Sequence, residues 1–262
     1  MPESPDYREK KSFFDRVLTV YGRKPVLETL LNETLECHAL HLAHSNRDAG
    51  IVAEIKQRAQ KLGVPVKLHS REELARISKS GKQDQGVALD VVCPSFRQLT
   101  EFLTDSVADK PAQPRRLLAL DGITNPQNLG MIVRSAAAGD VNGILLPRKG
   151  TAALGPLVIK ASAGTLYRAP LLLCDTLPEA LKLCQEHGAQ VCTLEAGAAR
   201  SLFEHQGHAF SVYVLGNETE GVSAAVSALA DTRLCIPMQN GVESLNVAVT
   251  ASLIAYGTYL ER

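Results

Sequence analysis

The chain has 262 residues, 45% of them hydrophobic, with 28 basic and 28 acidic side chains. That length suits two domains, and the apolar content supports a sizeable core. Balanced charge removes net attraction to nucleic acid as an argument, although a neutral chain can still carry a local basic face. Six cysteines, at 37, 93, 174, 184, 192 and 235, form no CxxC pair, which speaks against zinc and disulfide frameworks and for a reducing, cytoplasmic setting. No apolar run approaches the roughly 18 residues of a membrane span.

In chain order, MPESPDYREKKS is polar and reads as a tail, taken here as residues 1–15. A small α/β unit follows over 16–94. RKPVLETLLNE (23–33) predicts a helix, CHALHLAH (37–44) a strand, and AGIVAEIKQRAQKLG (49–63) an amphipathic helix stopped by Gly63. VPVKLH (64–69) reads as a strand, REELARIS (71–78) as a short helix and QGVALDVV (85–92) as a strand. Residues 95–114 change character; a helix over 96–107 runs into KPAQP, and the linker is placed here.

A second α/β unit spans 115–262. RLLALDG, NGILLP (142–147), APLLLC (169–174), QVCTLEA (190–196), VYVLGNE (212–218) and TRLCIPM (232–238) read as strands. Helices are predicted after Asn125, over 178–188, and over 245–260. Strands alternating with helices imply a mostly parallel sheet, whose ligands sit at the carboxyl ends of the strands.

Three segments of this unit break local expectation. In NPQNLGMIVRSA (125–136), Asn125 is placed to cap a helix and Pro126 to occupy its first position. Leu129, Ile132, Val133, Ala136 and Ala137 form one apolar stripe, and Arg134 lies off it beside the bare Gly130. Alone, this pattern favours a solvated arginine over a substrate-facing one. LGNETEGVS (215–223) brackets Glu218 and Glu220 with glycines that allow close backbone approach. CIPMQNGVESLNVAV (235–249) ends a strand, turns at Asn-Gly and opens a helix near Ser244 and Asn246; Ser244 is a candidate N-cap.

Absences also inform. No GxGxxG or GxG loop occurs, so a Rossmann-type cofactor site is not expected. None of the seven histidines falls in the three segments, which disfavours Ser-His and Cys-His catalysis. His38, His41 and His44 alternate on their strand, with the outer pair about 20 Å apart, so no metal site is expected. Residues 1–95 carry 15 basic against 13 acidic side chains, and the SKSGKQDQG loop (78–86) suits a phosphate backbone.

LDGITNPQNLGMIVRSA, VLGNETEGVS and IPMQNGVESLNVAV together resemble, in order and spacing, the three motifs of the SpoU/TrmH family of RNA ribose 2′-O-methyltransferases in the SPOUT superfamily. YGRKPVLETL (21–30) and KQDQGVALDV (82–91) resemble that family's substrate-binding domain. The resemblance implies a small N-terminal α/β RNA-binding domain, similar to a ribosomal-protein fold, and a C-terminal SPOUT α/β domain with a deep trefoil knot through which the chain forms a homodimer. It implies S-adenosylmethionine as cofactor, with Gly216, Ile236 and Leu245 at cofactor-contacting positions and Leu194, Asn217 and Met238 lining the same pocket. Asn128, Arg134, Glu218, Ser244 and Asn246 match the family's active-site polar positions. The presence of the substrate-binding domain points to the branch that methylates a guanosine of large-subunit rRNA.

In the family, an arginine at the position of Arg134 is a proposed general base. Neutralising a free guanidinium at pH 7 costs on the order of 9 kcal/mol, so an orienting role on the acceptor's phosphate is the reading preferred here, with a transient base role left open. The same chemistry on tRNA or on an antibiotic-target rRNA site, and a catalytically silent RNA-binding or assembly factor, are the alternatives.

Overall fold

A computed structural model describes residues 12–108 and 114–260. The first eleven residues of the expected tail and most of KPAQP lie outside the described residues. Residues 12–15, also read as tail, are helical, and Phe13 packs edge-on against His38 at 4.8 Å between ring centroids. The chain divides into two compact units with a boundary after Pro94.

The first unit comprises β1 (Val17–Tyr21), α1 (Arg23–Leu30), β2 (Glu36–Ala43), α2 (Ile51–Lys61), β3 (Val66–His69), α3 (Arg71–Ser78) and β4 (Val87–Val92). Its sheet runs β1-β4-β2-β3, with β4 antiparallel to both neighbours and β2 parallel to β3. Val52, Ile55 and Ala59 bury one stripe of α2, as the i, i+3, i+7 spacing requires. Ser70 and Glu73 close a capping box on α3. A bulge between Cys37 and Ala39 breaks the simple alternation expected for His38, His41 and His44.

A polar line crosses this sheet. Thr19 Oγ1 donates to Asp90 Oδ1 at 2.7 Å, His41 Nε2 lies 3.0 Å from Asp90 Oδ2, and His41 Nδ1 lies 2.9 Å from His69 Nε2. A carboxylate only accepts, so His41 carries a proton on Nε2 toward Asp90, and one of the two nitrogens His41 Nδ1 and His69 Nε2 donates to the other. Burial acts to raise the pKa of Asp90, but the hydrogen bonds from His41 and Thr19 outweigh it and hold the carboxyl below its ordinary range. Burial, and then the neighbouring His41, lower the pKa of His69.

The second unit contains β5 (Arg97–Gln98), α4 (Leu99–Ala108), β6 (Arg115–Leu120), α5 (Pro126–Ala138), β7 (Gly143–Pro147), α6 (Pro156–Ala161), β8 (Leu171–Cys174), α7 (Leu177–Glu186), β9 (Gln190–Leu194), β10 (Arg200–Ser201), β11 (Phe210–Leu215), α8 (Ala224–Ser227), β12 (Thr232–Cys235) and α9 (Val247–Leu260). The segment read from sequence as a linker is not featureless. Its β5 pairs with β8, and Leu99 and Leu103 of α4 sit in the core beside Leu172 and Leu181; Thr100, Thr104 and Asp105 lie on its exposed face.

The eight strands pair in parallel in the order β10-β12-β9-β11-β6-β7-β8-β5. Leu117–Leu120 and Val212–Leu215 are buried throughout, the signature of strands covered on both faces. From β6 the chain winds outward through β7 to β8, then returns to the other side of β6 with β9, β11 and β12. The order therefore reverses between β6 and β11, and a ligand crevice is expected beyond their carboxyl ends. Among the described residues, no helix is long and apolar enough to cross a membrane.

His69 and Asp90 both have folded pKa values below ordinary, so their stabilisation is present above the ordinary values, 6.5 for His69 and 3.8 for Asp90, and is lost as pH falls through them. Denaturant unfolding is expected to weaken on acidification below about pH 6.5 and again below about pH 4. Asp90→Ala should cost about 2–4 kcal/mol at pH 7, because it strands the buried His41 N–H, and should reduce the lower of the two losses.

Candidate functional site

A cavity of about 720 Å³ opens next to that crevice, on the far side of β11 from β6, at the carboxyl ends of β9, β11 and β12. Leu194, Leu215, Leu234, Ile236 and Met238 give it apolar walls. The loop after β11 forms one rim. There Asn217 N donates to Gly221 O and Gly221 N to Asn217 O, both at 2.9 Å, closing a tight turn. Gly216 has no room for a side chain: a Cβ there would overlap the backbone of Gly221 and Val222. The missing side chain lets the turn close on itself, and Gly216 lines the cavity.

Asn217 holds this turn in place. Its Oδ1 accepts from Thr219 N at 2.8 Å and Glu220 N at 3.2 Å, while its Nδ2 donates to Gly122 O at 2.8 Å. Asp121 adds a second tie by accepting from Ser223 N at 2.7 Å. The loops after β6 and β11 are thus fastened together across the switch point.

On one side of the cavity, the three sequence segments meet in a directed line. Ala248 N donates to Asn246 Oδ1 at 2.9 Å, Asn246 Nδ2 donates to Asn128 Oδ1 at 3.1 Å, and Asn128 Nδ2 donates to Glu218 Oε1. Asn128 is buried on the first turn of α5, which Asn125 caps by accepting from Gln127 N at 2.8 Å. The first of these bonds makes Asn246 the cap of α9. Ser244, proposed above as that cap, instead lies exposed on the cavity wall.

Gly216, Ile236, Leu245, Leu194, Asn217 and Met238 all line the cavity, as do Glu218, Ser244 and Asn246. Asn128 joins them through its two hydrogen bonds. Arg134 is not brought to the cavity. It is exposed on α5 and has no hydrogen bond or ion pair among the described residues. Six residues of helix separate it from Asn128, about 9 Å along the axis and roughly 120° around it. Gly130 does not open a ligand path. A Cβ there would strike Ala161 and the Val158 carbonyl, so this glycine lets α5 pack closely on α6.

Reading the sequence missed Asp121, Glu195 and Ser227. For Asp121 and Glu195 the available signal was a charged residue placed directly after an apolar strand, as in LDG and TLEA; Ser227, on α8, carried none. Burial pushes the thiols of Cys93, Cys174, Cys184 and Cys192 up to about 12 and that of Cys37 to about 11, so none of these five offers a thiolate at neutral pH. Among the described residues, no group of three or more metal-ligating side chains is placed to hold an ion.

In the first unit, Ser78 Oγ and Gly86 N donate to the buried Asp84 carboxylate at 2.7 and 2.9 Å, and this folds the 78–86 loop. Arg23 Nη2 donates to Asn46 Oδ1 at 3.0 Å, and Arg23 N donates to Gln85 Oε1 at 3.1 Å. Lys79 and Lys82 are left exposed on this loop.

Comparison with known proteins agrees with this arrangement. Residues 115–256 match the model of the SpoU rRNA methylase family, and residues 19–96 match that of the RNA 2′-O ribose methyltransferase substrate-binding domain. A Mycolicibacterium gilvum protein named as an uncharacterized tRNA/rRNA methyltransferase is 34% identical over 247 residues, covering 94% of this chain and 77% of that protein. A similarly named Mycobacterium ulcerans protein is 33% identical over 92% of this chain and 76% of its own length. The fold is similar to that of the SpoU methyltransferase AviRb from Streptomyces viridochromogenes, solved with AdoMet, at a TM-score of 0.62 and 19% identity over 99% of this chain and 94% of that one. It is equally similar to an AdoMet-bound rRNA methyltransferase from Sinorhizobium meliloti, at a TM-score of 0.62 and 18% identity over 98% and 91% of the two chains. A substrate-binding unit followed by a methylase unit, each matched in full order, makes this chain a member of the SpoU rRNA methylase family.

Proposed function

We propose that the protein transfers a methyl group from S-adenosylmethionine to a ribose 2′-hydroxyl of RNA, with large-subunit rRNA as the acceptor. The observation that carries this reading is the meeting of Asn128, Glu218 and Asn246, from three separate segments, at the rim of the cavity. The cavity fits the cofactor: its volume is in the range of small-molecule sites, and the apolar side chains of Leu194, Leu215, Leu234, Ile236 and Met238 suit an adenosyl group.

S-adenosylmethionine supplies an already activated methyl group on its sulfonium, so the chain's task is alignment, which is worth up to roughly 7–11 kcal/mol in favourable cases. Glu218 and Asn246 fix both ends of the Asn128 amide. Ser244 and Asn246 shape the wall that the acceptor ribose faces. Arg134 grips the acceptor's phosphate and orients the hydroxyl, a role that its unpaired, exposed guanidinium leaves it free to perform.

The reading includes a homodimer. α9 is apolar on all sides, with Val249 and Tyr256 exposed, and such a helix is normally buried. Met131 is exposed one turn before Arg134 on α5, so a partner that covers Met131 brings Arg134 into the interface. The reading also includes a trefoil knot. Residues 236–246 leave β12 and cross the ends of β9 and β11 to reach Asn128 beside β6, a path consistent with threading. In the first unit, Lys79 and Lys82 contact the RNA backbone.

Ribose-methylation mapping of total RNA tests the activity and its target together. Deleting the gene should abolish one 2′-O-methyl mark in large-subunit rRNA. Wild type should restore it, and Arg134→Ala should restore it at least 100-fold more slowly. A lost mark in tRNA would move the substrate, and no lost mark would favour the binding-factor alternative. For RNA contact, Lys79→Glu with Lys82→Glu should weaken binding to an rRNA fragment about tenfold or more near 0.1 M salt and reduce the log–log salt slope by about 2. Filter binding across a salt series measures both.

A further inference from the structure

Glu195 follows β9 and lines the cavity, at the side away from the Asn128 line. Its carboxylate is oriented, not loose. Oε1 accepts from Thr193 Oγ1 at 2.8 Å and from Ser227 Oγ at 2.9 Å, and Arg233 Nε lies 3.6 Å from the same oxygen. Thr193 is fully buried, so the geometry is anchored in the sheet. All three contacts fall on Oε1, and Oε2 has no partner among the described residues. An ionised carboxylate has about four acceptor positions, so a fixed acceptor is left over on the cavity wall, beside the apolar Leu194 and Leu234.

Resting on the methyl-donor reading above, we propose that Glu195 Oε2 accepts hydrogen bonds from the ribose hydroxyls of the donor's adenosine and so selects a ribonucleoside donor. Sheet order excludes a role in proton transfer. β11 separates β9 from β6, which places Glu195 about 10 Å from the strand that leads to Asn128. The donor offers other hydrogen-bond donors as well, including its α-ammonium. Arg233 disfavours that group, because its guanidinium already balances the Glu195 charge and would repel a second cation. A neutral vicinal diol meets no such repulsion, and an acidic side chain at a strand end is well suited to it.

The test uses S-adenosylhomocysteine with its 2′-deoxy and 3′-deoxy forms, titrated calorimetrically into the full-length protein. Wild type should bind at least one deoxy form about 10- to 100-fold more weakly than the parent. Glu195→Gln keeps a side-chain oxygen for Thr193 and Ser227 and replaces the free acceptor by an N–H donor. It should bind the parent about tenfold more weakly, and the deoxy penalty should shrink to less than threefold. Glu195→Ala should behave alike where it folds. A deoxy penalty in Glu195→Gln equal to that of wild type would overturn the proposal while leaving donor binding intact. Failure of wild type to bind S-adenosylhomocysteine at all would overturn the donor reading and this proposal with it.

Discussion

The side-chain amide of Asn128 is the constraint on which the site depends. Its two ends are spoken for, Oδ1 by Asn246 and Nδ2 by Glu218, residues that are 118 and 90 positions away in the chain. An amide has a fixed donor end and a fixed acceptor end, so the line has one sense and cannot be reversed without breaking both bonds. It runs from the first turn of α9, through α5, to the loop after β11. Each partner is otherwise local: Asn246 caps its own helix, and Glu218 belongs to a turn closed by Asn217 and Gly221.

That line is possible because the sheet delivers all three elements to one edge. Parallel strands place every carboxyl end on the same side, and reversal of the strand order at β6 opens a crevice between the loops that follow β6 and β11. Asn217 and Asp121 then cross the crevice with hydrogen bonds to Gly122 O and Ser223 N, which keeps its mouth from spreading. Gly216 contributes through what it lacks, since the turn closes so tightly that a methyl group would collide with Gly221 and Val222. Precise, pre-set alignment of this kind is what a methyl transfer from an activated donor asks of a protein.

Much of the scaffold was legible because its signals are local. Buried parallel strands announce themselves as apolar runs such as LLAL and VYVL, and the Asn125–Pro126 start of α5 is a contiguous signal. What failed depended on distant neighbours. Gly130 reads from sequence as an opening beside Arg134, but α6, about thirty residues on, fills that space. Ser244 and Asn246 are equally plausible caps by type, and only the backbone path decides for Asn246. The polar line Thr19–Asp90–His41–His69 joins four strands, so neither periodicity nor spacing could reveal it. The cavity residues Gly216, Ile236 and Leu245 came from the family resemblance rather than from pattern, as did the role given to Arg134, which single-chain geometry leaves outside the cavity.

The account's central claim is that the Asn128 line aligns acceptor with donor and does not itself hold the donor. Single-turnover methyl transfer measured beside S-adenosylmethionine affinity, for wild type and Asn128→Ala, separates the two functions. The account predicts a loss of about 100-fold or more in the transfer rate with donor affinity changed by less than about threefold. Transfer at the wild-type rate, or a rate loss matched by an equal loss of donor affinity, would contradict it.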